Sequence, residues 1–186
     1  MRVNIKARKL TTVALSVALA MIFSYVESLI PPLAMVPGVK IGLANIVTVF
    51  LLYSLGVPEA ALVSLIRISL SAIILPHGSL VSFIYSVTGA IVSLIAMIIA
   101  KNFTPFGKVG VSVIGALMHN AGQVAAACVV MGTAALAVYF IPLIITGTLS
   151  GAVIGVIAGI VTHRVTKFIH PDKSKKKKAT KKPAKK

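Results

Sequence analysis

The chain has 186 residues, of which 58% are hydrophobic and only 12% charged, about half the charged share of a soluble domain. That composition excludes an ordinary soluble protein and points to an all-α integral membrane protein. The formal net charge of +16 suggests a nucleic-acid binder until it is located: eleven of the nineteen basic residues lie in 164–186 and four in 1–9, leaving Lys40, Arg67, Lys101 and Lys108 for the body, so the charge belongs to two tails and says little about the fold.

Residues 1–9 form a basic N-terminus and residues 10–30 an apolar run. This is the order of a signal peptide, and Ala18-Leu19-Ala20 even resembles a cleavage site. The apolar run continues for about twenty residues, however, which is a full span and is read as helix 1. Ala14 and Ala18 form a small-xxx-small pair, with Ser16 and Ala20 alongside, so one face of this helix can pack closely on another helix of this chain or of a partner.

Residues 31–45, PPLAMVPGVKIGLAN, break the pattern with three of the nine prolines, two glycines, Lys40 and Asn45. Backbone of this kind between two spans is tolerated at the surface or where it lines a cavity. It reads equally as an external loop or as part of a ligand site.

Spans are expected at 41–55, 58–75, 80–100, 109–131 and 143–165, giving a six-helix membrane domain over 10–165 together with helix 1. Pro58 and Glu59 suit the first turn of the third helix, where Glu59 acts as a capping charge. Residues 132–140 are apolar but short and read as a partial helix or external crossover. Gly147, Gly151, Gly155 and Gly159 repeat every four residues and mark a face of close helix packing. Cys128, the only cysteine, reads as a small buried side chain. Residues 166–186 form a Lys-rich tail, expected to be disordered and attracted to anionic lipid; with no aromatics interleaved, it does not read as a nucleic-acid binder.

Six spans put both termini on one side, together with Lys101 and Lys108, and the positive-inside rule makes that side the cytoplasm of a bacterial inner-membrane protein. Lys40 and His77 fall outside. Depth bookkeeping at about 1.5 Å per residue then gathers Glu27, Asn45, Arg67, Tyr85, His119, Asn120 and Gln123 from the middle of the membrane outward. His119 and Gln123 share a helix face, while Asn120 lies about 100° away. Arg67 at mid-depth needs a partner. It either pairs structurally with Glu27 or joins Lys40 and His119 in presenting charge and donors to a small polar or anionic ligand.

Glu27, Glu59 and Asp172 are the only acidic residues, and no DDxxD, HExxH, GxxxxGK or Ser-His-Asp pattern occurs. No catalytic residue, metal site or cofactor is expected.

The segments PGVKIGLANIVTVFLLYSLG, ALVSLIRISLSAIILPHGSLVSFIYSVTGAIVSL and GALMHNAGQ resemble the small membrane family labelled Gx transporter or heptaprenyl diphosphate synthase component I, over about residues 10–165. That family is similar to the substrate-binding S components of energy-coupling-factor transporters. The resemblance implies a six-transmembrane-helix bundle, a lid role for residues 31–40 and a coupling-subunit contact at Ala14 and Ala18, with ATPases supplied in trans. Prenyl synthases hold Mg²⁺–diphosphate with aspartate-rich motifs, and this chain has one aspartate, in its tail. The expected function is capture of a small molecule for uptake. The alternatives are a non-catalytic membrane subunit handling a prenyl diphosphate or quinone, and a membrane scaffold of an electron-transfer complex.

Overall fold

The joints of the chain fall where residue types stop helices. The structure, a computed structural model, describes residues 5–29, 42–75 and 79–169. It begins with α1 (Ile5–Ser28). The second helix, α2 (Asn45–Ser54), is confined between Gly42 and Gly56, whose φ values of 90° and 124° are backbone conformations that L side chains rarely adopt. Pro58 opens α3 (Val57–Ile74) at a position where its missing N–H is not needed. Ser79 starts α4 (Leu80–Phe103), its hydroxyl accepting from the Ser82 N–H at 3.1 Å, a standard N-cap. α5 (Lys108–Met131) ends at left-handed Gly132, and the Thr133 N–H returns to the Cys128 carbonyl at 3.1 Å, a Schellman closure. A 3-10 turn over Ala134–Tyr139 leads into α6 (Phe140–Ile169). All elements among the described residues are helical.

Five stretches are long and apolar enough to cross a bilayer: α1, α3, α4, α5 and the run Ala134–Val165. The span expected at 41–55 is instead the ten-residue α2, about 15 Å long and half the hydrocarbon thickness. The left-handed Gly42 prevents the helix from extending backwards. α2 buries eight of its ten residues and touches α1, α3, α5 and α6, so it forms a central strut rather than a lipid-facing wall. Its Thr48 hydroxyl meets that of Ser64 on α3 at 3.0 Å.

α5 packs most extensively, against α4 on one side and α6 on the other. The glycine row provides the second contact. A Cβ on Gly155 would lie 2.6 Å from Val109 Cα, and one on Gly151 would lie 2.8 Å from Val113 Cα, so α6 lies directly on the backbone of α5. Gly122 and Gly89 do the same for α5 and α4, where a Cβ on Gly122 would lie 2.9 Å from Gly89 Cα.

α1 and α3 run parallel. Lys9 pairs with Glu59 at one end, and further along the Ser71 hydroxyl lies 3.8 Å from Met21 Sδ. Glu59 thus occupies the first turn of α3, as expected, and also ties that turn to α1. At the same end, Lys101 donates to the Leu52 carbonyl at 2.8 Å. Lys101 and Lys108 both stand over the Tyr53 ring, at 4.9 and 5.6 Å.

Candidate functional site

Away from that basic end, α1 turns a buried stripe inward: Ser16, Ala20, Ser24 and Glu27, spaced so that they share one helix face. Arg67 of α3 meets this stripe. Its guanidinium Nη1 donates to Ser24 Oγ at 3.4 Å, Glu27 attracts its charge, and the residue is only 6% exposed. Arg67 thus reaches the face of α1 that carries Ser24 and Glu27. Arg67 Nε is buried without a hydrogen-bond partner among the described residues.

Glu27 reaches a second element. Its Oε1 accepts from the Gly42 N–H, which fixes the start of the α2 segment against the end of α1. Gly42 is crowded on its other sides, since a Cβ there would lie 3.1 Å from Asn45 Nδ2 and 3.6 Å from His119 Cδ2. His119 and Gln123 line the neighbouring face of α5, 3% and 1% exposed, and both lie against Gly89 of α4, where a Cβ would meet Gln123 Cγ at 2.9 Å and His119 Cε1 at 3.1 Å. Glycine at position 89 thus leaves room for two polar side chains between α4 and α5. Asn45 Nδ2 is buried without a partner among the described residues.

Arg67, Asn45 and His119 share a depth, with Glu27 above them. The rise from Glu59 to Arg67 is about 12 Å, from Tyr53 back to Asn45 about 12 Å and from Lys108 to His119 about 16 Å. Three helices therefore deliver polar side chains roughly half a bilayer above the basic end.

Two other expected residues fall elsewhere. Asn120 points to the opposite flank of α5, where Nδ2 donates to the Leu143 carbonyl of α6 at 3.1 Å beside Gly147 and Oδ1 has no partner among the described residues. Tyr85 is fully buried in an apolar cluster with Val124, Ala127 and Leu143, away from the Arg67 group, and its hydroxyl too has no partner among the described residues. Lys40, His77, the 31–40 lid segment and the tail from 170 onward lie outside the described residues. Ala14 and Ala18 face outward on α1, while Ser16 and Ala20 face inward.

Sequence reasoning missed Ser24, Gly42 and Gly89. A glycine inside a long apolar helix is a signal of close approach, and it was available for Gly89. Ser24 carried no signal, because serines are scattered along every face of these helices.

The carboxylates do not fit a Mg²⁺–diphosphate site. Glu27 is bound to the Gly42 N–H beside Arg67 and Glu59 is paired with Lys9, at opposite ends of α1.

A family model described as heptaprenyl diphosphate synthase component I matches residues 16–161. No curated protein and no solved structure matches the chain.

Proposed function

The chain belongs to the heptaprenyl diphosphate synthase component I family, and from that premise we propose that it is a non-catalytic membrane subunit that holds a small polar or anionic organic molecule in the cluster of Glu27, Asn45, Arg67, His119 and Gln123. One observation carries the reading. The buried atoms Arg67 Nε and Asn45 Nδ2, which lack partners among the described residues, are both donors, and a buried donor without a partner is costly. Their natural complement is an acceptor such as a carboxylate, phosphate or carbonyl.

In this reading the basic end faces the cytoplasm of a bacterial cell, and the molecule enters from the opposite side. Uptake requires coupling and ATPase subunits in trans, because the chain has no nucleotide-binding motif. The outward alanines of α1 supply a smooth face for such a subunit. The description of the family favours a second reading, in which the bound molecule is a prenyl diphosphate.

The test is to identify what copurifies with the protein by native mass spectrometry, then to repeat it with Arg67→Gln. Arg67→Gln also removes the charge facing Glu27 and so lowers stability, and the fraction that folds is expected to lose about 1.5–3 kcal/mol of binding, the size of a hydrogen bond to a charged group. Undiminished retention by folded Arg67→Gln sinks the proposal, and a copurifying isoprenoid diphosphate selects the second reading.

A further inference from the structure

The glycine row of α6 outlasts the helix it packs on. At Gly155 the backbones of α5 and α6 touch, but one turn later the nearest atom to a Cβ on Gly159 is Lys108 Cδ, at 3.9 Å. α5 begins at Lys108, so no α5 backbone lies beneath Gly159, and a groove of about 510 Å³ is left at the basic end of the bundle. Its rim at the membrane surface carries Lys108, His163 and Arg164, and its walls are Val109, Val156 and Ile160. The wall continues into the exposed apolar surface of α6, where Val153, Val156, Ile157 and Ile160 are 59, 51, 41 and 58% exposed. The acidic residue described at this end, Glu59, is paired with Lys9, so nothing on the rim opposes a negative charge.

We propose that this groove is a binding site for an anionic phospholipid, with the phosphate among Lys108, His163 and Arg164 and an acyl chain along Val156 and Ile160. Cations at the level of the headgroups above an apolar slot open to the bilayer complement such a lipid at both ends. The site is separate from the Arg67 cluster and does not depend on what that cluster binds. It also differs from the general attraction of the Lys-rich tail, because it has a shape as well as a charge.

That difference supplies the test. The full-length protein, delipidated in neutral detergent, is titrated with phosphatidylglycerol or with phosphatidylcholine of the same acyl chains, and bound lipid is counted by native mass spectrometry. One phosphatidylglycerol is expected to remain bound with at least about tenfold preference over phosphatidylcholine, and Lys108→Gln with Arg164→Gln is expected to weaken it about thirtyfold, the effect of two cations near the headgroup. Gly159→Leu fills the groove without changing any charge and is expected to abolish the same adduct. Gly159→Ala, for which there is room, is expected to weaken it about threefold and keeps the test open if leucine unfolds the bundle. Retention by the Gly159 variants alongside loss in the charge variant would show diffuse attraction and overturn the site. Equal binding of the two lipids overturns it as well, and displacement by stoichiometric farnesyl diphosphate would reassign the groove to a prenyl diphosphate.

Discussion

The two sides of the bundle use small and polar residues in opposite ways. Where α6 lies on α5, glycines bring the backbones together, and of the polar side chains there Asn120 gives its amide N–H to the Leu143 carbonyl at 3.1 Å while Asn120 Oδ1 and Ser112 Oγ have no partner among the described residues. Where α1 and α2 meet α3 and α5, the small residues instead leave room for Arg67, Glu27, His119 and Gln123, and donors on Arg67 and Asn45 lack partners among the described residues. In a bilayer, apolar contact between helices gains little over contact with lipid, so backbone proximity and interhelical hydrogen bonds supply the adhesion. The first interface rests on backbone contact, whereas the second gathers charged and polar side chains from four helices, Glu27, Asn45, Arg67, His119 and Gln123, which is the property expected of a binding site rather than of a joint.

The sharpest way to break this comparison is at Arg67. Arg67→Ala leaves Glu27 without its opposite charge and is expected to destabilise the protein by about 3–5 kcal/mol, as for breaking a buried pair. Adding Glu27→Ala should restore much of that loss. Thermal unfolding of the two single variants and the double variant in one detergent reads the cycle. Additive losses would show that the two charges do not act on each other.

Next in size is the adhesive interface itself. Gly155→Ala forces a methyl to within 2.6 Å of the Val109 backbone and is expected to cost about 1–3 kcal/mol by overpacking. Gly147→Ala crowds the side-chain amide of Asn120, at 2.7 Å, with its other neighbours at 3.6 Å or more, and should cost less because a side chain can move aside. A melting temperature lowered equally by both would mean that α6 is not held at the backbone distance described.

The smallest effect is expected at Asn120. Asn120→Ala removes one interhelical hydrogen bond and should lower stability by about 0.6–1.7 kcal/mol, with ligand retention unchanged. Loss of ligand from a folded Asn120→Ala protein would return Asn120 to the site and erase the distinction between the two faces of α5.

Much of this was legible in the chain. Apolar runs bounded by Pro58 and by the break at 132–140 mark where long helices begin and end, because proline and glycine act through local backbone chemistry. The four-residue glycine spacing marks a packing face for the same reason, and the depth of Arg67, His119 and Gln123 follows from counting residues along a helix. Only the tertiary structure decided which way each helix turns. In a soluble protein the polar face points outward and the sequence shows it, but a membrane helix is apolar on the lipid side and on the core side alike. Nothing in the α1 sequence therefore separates Ala14 and Ala18, which face out, from Ser16, Ala20 and Ser24, which face in. For the same reason α2 reads as a span: its continuous apolar run gives no sign that other helices, rather than lipid, surround it. His119 and Asn120 are adjacent in sequence, yet one meets Gly42 and Gly89 while the other meets α6. The 100° between them is a property of the helix, but the neighbour on each side is set by how the helices assemble.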